Sequence, residues 1–478
     1  MDSQQSTEAG WTRTLLSSVS VAFFGCLISS GYNIGVLNAP QEILMKMSNA
    51  SAAHDFGVIL DATSLDLVWS AVVAVFLVGA TGGAMVGGAV ADLIGRKLSI
   101  MVIEIVLALS GILLFIGYEK EHVHWFFLGR IFAGFGTGLT STVCPLYVHE
   151  VAPPRLRSAL GSVTNLGFCV GLLLGQILGL PEVLGRADTV QYLLAVFLIP
   201  TLGASAMLPF CPESPKYLLI NKGNEQDAFA ALSRLRGLPQ EALSSELSGY
   251  RAEAKLAAET PCWTLRRLLA DAVCRRRLLV LLLICAGQQF SGVNAVFFFS
   301  TAIFQRAGLS QSQGALASLG CGAANAALAL LAGPCVARVP LRRLLTVSCL
   351  GCAVCLAAFA GALCLMETYV WAAVCAVVFL ISYVVAFASG FGPIPWMLGA
   401  EMFEQGPRAL AVSMGSATIW VSNFFIVLLF PVMYAQAGVA CFIFFLVCCL
   451  LAAAVAHFHL PGPTVEGSTV KEMEAVQV

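Results

Sequence analysis

The stretch Gly287–Ser300, which reads GQQFSGVNAVFFFS, decides what kind of protein this chain is. It lies inside the apolar run from Leu278 to Phe304, which is long enough to cross a bilayer. An amide without a hydrogen-bond partner costs roughly 4–8 kcal/mol in hydrocarbon, so a membrane helix carries polar groups only where they face protein, water or a polar ligand. The stretch nevertheless contains four side chains that both donate and accept hydrogen bonds: Gln288, Gln289, Ser291 and Asn294.

Two interpretations of this polar cluster remain open. At 100° per residue, Gln288, Gln289 and Asn294 are expected to share one side of a single helix. That side either makes hydrogen bonds to neighbouring helices or lines a cavity. A neutral, polyhydroxylated solute would suit the cavity, because uncharged amides match hydroxyl groups and hold no ion.

The composition identifies an integral membrane protein. The chain has 478 residues, of which 58% are hydrophobic and 11% charged, whereas soluble domains carry about 25% charged residues. We therefore expect an all-α membrane protein with twelve transmembrane helices. Its apolar runs lie near residues 15–37, 66–90, 98–117, 124–148, 158–181, 190–210, 278–304, 314–337, 343–366, 368–400, 409–434 and 437–460.

An internal repeat divides these spans into two halves. Glu150 is followed seven residues later by Arg157, and Glu401 is followed seven residues later by Arg408. The two pairs are 251 residues apart, which predicts two six-helix bundles in parallel repeat. The expected domains are an N-terminal bundle, a cytoplasmic helical linker, a C-terminal bundle and a cytoplasmic tail: 1–210, 211–277, 278–460 and 461–478.

The distribution of charge predicts the orientation of the chain. Basic residues such as Arg96 and Lys97 concentrate in alternate loops and in the segment 211–277, which places both termini in the cytoplasm. The tripeptide Asn49-Ala50-Ser51 is a glycosylation sequon in a loop that this rule places outside. A net charge of −1 implies no nucleic-acid partner.

Charged residues beside the spans suggest a conformational latch. Asp92, Arg96 and Lys97 surround a short glycine turn, and the repeated Glu–Arg pairs described above stand at corresponding helix ends. Ion pairs at helix ends can hold one conformation and be released in another. The alternative is that these residues are plain surface charge.

The tenth span must be interrupted. Pro393 and Pro395 each remove a backbone donor, so the carbonyl groups they free must face a cavity or other protein. Trp396, after the break, and Trp420, in the next span, could present flat faces to a sugar ring. They could equally pack or anchor at the interface.

Other chemistry finds little support. Most of the 17 cysteines lie within spans, and Cys352 and Cys355 are interpreted as small apolar packing groups rather than metal ligands. No nucleophile–base pair appears at membrane depth, which argues against an enzyme. We expect neither a metal nor a cofactor.

At this point the chain resembles a known family, the facilitative glucose (hexose) transporters among the sugar porters of the major facilitator superfamily. The resemblance runs through almost the whole chain in order. It is carried by GGAVADLIGRK at 87–97, PLYVHEVAPPRLR at 145–157, PESPKYLL at 212–219, GQQFSGVNAVFFFST at 287–301 and GPIPWMLGAEMFEQGPR at 392–408.

The resemblance implies roles for particular residues. It implies hexose uniport by alternating access, with Asn49 as the glycan site of the outer loop. Sugar binding is implied for Asn165, Gln288, Gln289, Asn294, Asn325, Trp396 and Trp420. A latch that steadies the outward-facing state is implied for Asp92, Arg96, Lys97, Glu150, Arg157, Glu401 and Arg408.

Departures from the family pattern bear on substrate and latch. GLPEVLG at 179–185 looks like the fructose- and urate-handling branch, whereas Trp396 looks like the glucose-handling branch. The acid of the second-half latch is missing near Ala337, and the motif after the last span has become Pro461-Gly462-Pro463. We therefore expect a looser outward-facing state.

Three functions remain open: uniport, proton symport and sensing without transport. Proton-coupled relatives resemble this chain but place a carboxylate where Asn33 stands, which favours uniport. Glu104 in the third span either reaches the cytoplasmic face, pairs with another helix or couples transport to protons. A hexose sensor that does not transport is the remaining possibility. We expect a multi-pass protein of the plasma membrane that contacts lipid and works as a monomer.

Overall fold

The computed structural model describes residues 10–259, 263–306, 308–336, 339–366, 368–403 and 405–460. In this part of the chain twelve helices are long and apolar enough to cross a membrane, and no strand occurs, so the predicted fold class is confirmed. The spans are Arg13–Gly35, Ala62–Ile94, Arg96–Glu119, Val123–Val151, Ala159–Leu178, Val190–Phe210, Ala272–Thr301, Gln311–Leu331, Leu341–Leu365, Trp371–Met402, Gly406–Ala437 and Ala440–His459.

The first half, spans one to six, is held together by direct backbone contact. The second and fourth spans meet at glycines: a Cβ added at Gly83 would overlap the carbonyl oxygen of Phe135, and one added at Gly134 would overlap that of Phe76. Small residues allow this approach, in which van der Waals contact replaces the hydrophobic effect that lipid cannot supply. The glycine run from Gly134 to Gly138 is therefore a packing surface.

The seventh span differs from the expectation of one continuous helix. Its helix Ala272–Phe290 ends, and a second helix begins at Val293. Between them Gly292 adopts a φ of 87°, which side chains rarely tolerate, with the ring of Phe445 against it. The hydroxyl of Tyr383 donates to the backbone oxygen of Ser291 at 3.0 Å, so the break is buried in protein. Gln288 and Asn294 consequently lie on two helices.

The tenth span is broken as the two prolines predict. An α-helix, Val370–Ala386, widens into a π-helical turn at Phe387–Phe391, and the helix Ile394–Met402 follows. The first span contains a similar wide turn at Val21–Leu27, which nothing in the pattern of apolar residues indicates.

The segment between the halves forms the small helical bundle that the sequence predicts. Its helices are Pro215–Ile220, Glu225–Arg236, Ser244–Glu259 and Leu265–Ala270. Its own core is small: Ala228, Leu232, Leu243, Leu247 and Tyr250. The division into 1–210, 211–277 and 278–460 stays a prediction, and the tail 461–478 lies outside the described residues, as does Ala337.

We call the end of the bundle that carries this segment the linker end, and the opposite end, with Asn49-Ala50-Ser51, the sequon end. The sequon lies on a helix that was not predicted, Gln41–Phe56, which we call the sequon helix. It packs against the second and fourth spans.

The two halves meet through hydrogen bonds at the sequon end. The Asn38 amide donates to the Phe297 carbonyl and to the Ser300 hydroxyl, both at 2.9 Å. The Gln305 amide donates to the Glu42 carboxylate at 2.9 Å. Asn38, Phe297 and Ser300 are buried, so the two halves are joined at this end by hydrogen bonds shielded from solvent.

Replacing Gly134 by alanine tests the backbone contact. Gly134→Ala should destabilise the purified protein by about 1–3 kcal/mol, because the added methyl group overpacks against backbone that cannot move. The measurement is the unfolding temperature in detergent. Gly161→Ala is the matched control, since a Cβ there meets nothing within 4 Å, and it should stabilise by up to about 1 kcal/mol. Equal effects of the two changes would contradict the proposed packing.

Candidate functional site: a chain of buried amides between two broken helices

The amides of the seventh span form a directed chain of hydrogen bonds. The Asn294 amide nitrogen donates to the Gln289 side-chain oxygen at 2.6 Å, and the Gln289 nitrogen donates to the Gln288 side-chain oxygen at 3.0 Å. The Gln288 nitrogen then donates to the backbone oxygens of Phe391 at 2.9 Å and Gly392 at 2.6 Å. These two oxygens belong to the turn that the prolines of the tenth span disrupt, so the chain joins the two broken helices.

The two ends of this chain are chemically different. Both amide hydrogens of Gln288 are used by the tenth span, and its side chain is 2% exposed. For Gln288 the structure therefore shows the interhelical bonding that the sequence left as an alternative, and not a free sugar-binding amide. Asn294 is half-buried, and its side-chain oxygen accepts no hydrogen bond from the described residues. Asn294 is thus the end of this series of hydrogen-bonded amides that can bind a solute.

Two indole rings stand together on the tenth and eleventh spans. The ring centroids of Trp396 and Trp420 are 6.3 Å apart at 71°, and Trp396 is 43% exposed. The Trp420 ring nitrogen and the side-chain oxygen of Asn423, one turn later, are both buried without a hydrogen-bond partner among the described residues. Sequence reasoning missed Asn423, although an amide three residues after Trp420 in an apolar helix is a usable signal.

The remaining predicted binding residues lie on the fifth and eighth spans. Asn325 is half-buried and donates to the Cys169 sulfur of the other half at 3.3 Å, while Asn165 is exposed. Gln176 was missed. Its side chain is 3% exposed, both of its amide atoms lack hydrogen-bond partners among the described residues, and it approaches Gly322 across the boundary between the halves.

At the linker end, part of the predicted latch is assembled. Arg96 makes a two-pronged ion pair with Glu150 at 2.9 and 3.0 Å and a third contact with Asp92 at 3.1 Å. The Glu213 carboxylate accepts the backbone N–H groups of Arg96 at 3.0 Å and Lys97 at 3.1 Å. Arg96 and Glu150 are both 6% exposed, so each charge depends on the other for its solvation.

The other predicted latch residues do not join this cluster. The Nε of Arg157 is buried without a partner among the described residues. Arg408 is exposed and donates to the Phe403 carbonyl at 3.0 Å, and Glu401 is also exposed. The grouping of all seven residues is therefore not seen in this conformation, and their role as a latch stays a prediction.

The linker makes further polar contacts beside the Arg96–Glu150 pair. The Ser214 hydroxyl donates to Glu150. Arg236 pairs with Glu246 at 2.7 Å and donates to the Val151 carbonyl at 2.7 Å. Although burial opposes ionisation, the Arg236 guanidinium holds the pKa of Glu246 below its usual value. Long-range pairs of this kind leave no local signal in the sequence.

Two further predictions concern single residues. Glu104 is 2% exposed and accepts a hydrogen bond from the Ser205 hydroxyl at 2.8 Å. It therefore pairs with the sixth span, and the alternative that it reaches the cytoplasmic face is wrong. Asn49 is half-buried, and its side-chain oxygen accepts the Leu60 N–H at 3.0 Å. Its glycosylation stays a prediction.

Twelve membrane spans, two of them broken beside buried amides, are typical of secondary transporters. The family described as "Sugar (and other) transporter" matches residues 18–476. The chain belongs to this family.

Relatives of described function support this family assignment. The chain is 34% identical over 461 residues to the rat "Solute carrier family 2, facilitated glucose transporter member 3", which covers 96% of this chain and 92% of that protein. It is 34% identical over 473 residues to human member 4 of the same family, with 97% and 91% covered. The protein is thus a sugar transporter and not an enzyme.

Solved structures share the fold. The xylose transporter of E. coli in a partially occluded inward open conformation superposes with a TM-score of 0.77 at 22% identity, covering 94% of this chain and 100% of that one. The same transporter bound to 6-bromo-6-deoxy-D-glucose gives a TM-score of 0.75 at 23% identity, covering 94% of this chain and 96% of that one. The match extends across both six-helix bundles, as the repeat predicts.

The difference between Glu150 and Glu401 can be tested directly. Glu150→Gln leaves the buried Arg96 charge without its partner and should destabilise the protein by about 3–5 kcal/mol. The exposed Glu401→Gln should change stability by less than about 0.5 kcal/mol. The unfolding temperatures of the two purified variants provide the comparison. A similar loss in both would mean that the Arg96–Glu150 pair does not hold the linker end together.

Proposed function

We propose that the protein carries a neutral hexose, glucose or fructose, across the membrane by facilitative uniport. The observation that carries this proposal is the chain of uncharged amides, fixed at Gln288 and free at Asn294, at the junction of two broken helices. Amides match sugar hydroxyls without attracting ions, and an interrupted helix at membrane depth is tolerated where it borders protein or a solute pathway. The relatives described as facilitated glucose transporters support the same substrate class.

The sugar contacts follow from which polar atoms are uncommitted. Asn294 and Gln289 offer hydrogen-bonding groups, and Trp396 offers an exposed ring face. Asn423 and Gln176 have polar atoms without partners among the described residues. Asn165, Asn325 and Trp420 complete the proposed site. Gln288 contributes indirectly, because it orients Gln289 through the bond between their side chains.

Alternating access is supported by the unequal state of the two ends. At the sequon end, Asn38 joins the halves through buried hydrogen bonds. At the linker end, Arg408 and Glu401 are exposed and apart from the Arg96–Glu150 pair. Two bundles that rock about a central site expose it to one side at a time. This conformation is then open toward the linker end.

The orientation proposed from the loop charges makes the linker end cytoplasmic, with both termini inside and Asn49 outside. The plasma membrane is the proposed location. The proposed functional unit is a monomer.

Uniport is favoured by the neutral Asn33. Its backbone oxygen accepts a hydrogen bond from the buried Arg130 guanidinium at 2.9 Å, and its amide side chain cannot exchange a proton. Proton symport is the second candidate, and the observation that favours it is Glu104, a carboxyl buried at membrane depth with one oxygen unpartnered among the described residues. Glu104 contacts Ser205 within the first half, away from the amide chain.

Substitution of Asn294 tests the site. Asn294→Ala removes a hydrogen bond worth about 0.5–1.5 kcal/mol, so hexose affinity should fall about two- to twelve-fold. Equilibrium exchange of labelled glucose and fructose in proteoliposomes measures both flux and affinity. Asn221→Ala, an exposed amide in the linker, is the matched control and should leave both unchanged. Unaltered affinity in Asn294→Ala would discredit the site, and binding without flux in the unaltered protein would identify a sensor.

Replacing Glu104 tests the coupling mechanism. Glu104→Gln removes the titratable group and keeps the shape, so a uniporter should retain its uptake rate and show little response to external pH. Uptake by the unaltered protein that rises steeply with external acidity, and loses this response in Glu104→Gln, would establish symport instead. The measurement is initial uptake into proteoliposomes at two external pH values.

A further inference from the structure

Three of the six histidines of the chain converge at the sequon end, apart from the sugar site. His54 and Asp55 lie in the last turn of the sequon helix, and His122 and His124 lie at the start of the fourth span. The Asp55 carboxylate is 2.8 Å from the His54 Nδ1, 3.5 Å from the His122 Nδ1 and 3.7 Å from the His124 Nδ1. The three imidazole rings thus lie around the Asp55 carboxylate.

The backbone on both sides holds these side chains in place. The sequon helix ends at Gly57, whose φ of 66° turns the chain away immediately after Asp55. Before the fourth span, Glu121 has a φ of 53°, which is uncommon for a residue with a side chain. His122 is then extended, and its ring centroid lies 5.0 Å from that of His124. The cluster is therefore built from two elements 67 residues apart in the sequence, with fixed ends.

The ligand set matches a borderline divalent transition metal. Imidazole nitrogen and carboxylate oxygen are ligands of Zn²⁺, with bonds of about 2.0–2.2 Å. Two ligands of a tetrahedral zinc therefore lie about 3.3 Å apart. In the structure, ligand atoms of His54, Asp55 and His122 all lie within 4.8 Å of one another. Small side-chain rotations bring them to coordination distance, since all three residues are at least partly exposed.

The surroundings of Asp55 fit a metal ligand. The Ser51 hydroxyl donates to the Asp55 Oδ2 at 3.1 Å and accepts the Val123 N–H at 2.9 Å. Ser51 is fully buried, so it fixes the carboxylate as a second layer of hydrogen bonds fixes metal ligands. The His122 Nδ1 is buried without a hydrogen-bond partner among the described residues.

We propose that His54, Asp55, His122 and His124 form a binding site for Zn²⁺ that joins the sequon helix to the fourth span. The bound ion replaces the weak contacts among the imidazoles with coordinate bonds between the two elements. The same helix carries Glu42, which contacts Gln305 of the second half. The metal therefore fixes a part of the protein that takes part in closing the sequon end.

Thermal unfolding of the full-length purified protein tests the site. After removal of metal by a chelator, ZnCl₂ should raise the unfolding temperature in a saturable manner, because a ligand of the native state stabilises it, whereas MgCl₂ should not. His54→Gln/His122→Gln should abolish the rise. The matched control is His457→Gln/His459→Gln, which changes two exposed histidines at the linker end and should keep it. A zinc response that survives in His54→Gln/His122→Gln, or is absent from the unaltered protein, overturns the proposal.

Cobalt spectroscopy identifies the ligands independently of stability. Co²⁺ in the unaltered protein should give the visible absorption of a low-symmetry site with nitrogen and oxygen ligands. Thiolate-to-cobalt charge transfer in the near ultraviolet would instead identify cysteines, such as the exposed Cys364, and would refute the assignment. The single variant His124→Gln changes a side chain that is 60% exposed, so it should fold normally. Its cobalt affinity should fall at least about tenfold, and an unchanged affinity would remove His124 from the site.

Discussion

The second half depends on one constraint. The carbonyl groups that Pro393 and Pro395 deprive of their helical donors need other donors or a polar environment. A bare carbonyl in hydrocarbon costs several kcal/mol. The Gln288 amide donates at 2.9 Å to the Phe391 carbonyl, whose helical donor Pro395 lacks, and at 2.6 Å to the adjacent Gly392 carbonyl. Because its hydrogens are committed, its oxygen is free to orient Gln289, and through Gln289 the half-buried Asn294. This contact therefore links the break in the tenth span to the geometry of the proposed sugar site.

The two halves solve the problem of buried charge differently, although they are repeats. In the first half, Arg96 and Glu150 neutralise each other out of water, and Glu213 and Ser214 from the linker add hydrogen bonds. In the second half, the corresponding Glu401 and Arg408 remain in solvent. A buried pair is costly to break but contributes little net stability. In the proposed latch, the pair would fix one arrangement of helix ends in one of the two states of the transporter.

The sequence predicts the parts of this structure that depend on local composition. Twelve apolar runs, the proline break at Gly390–Trp396 and the small linker core all follow from hydropathy, backbone chemistry and periodicity. The break between Ser291 and Gly292 could not be predicted, because it depends on Tyr383, about 90 residues away. For the same reason the pattern of amides could not decide between bonding to helices and binding of a solute. Histidines at the ends of two separate helices carry no periodic signal at all.

The glycine contacts between the second and fourth spans have a mechanical consequence. The backbones of the second and fourth spans touch at Gly83 and Gly134, with no side chains between them that could repack. We therefore expect these two spans to move together as a rigid unit. Bending is available where helical hydrogen bonding is already interrupted, and in the second bundle that means the seventh and tenth spans, joined by Gln288. We therefore expect the rocking motion to be divided unevenly, with less bending in the second and fourth spans than in the broken helices of the second bundle.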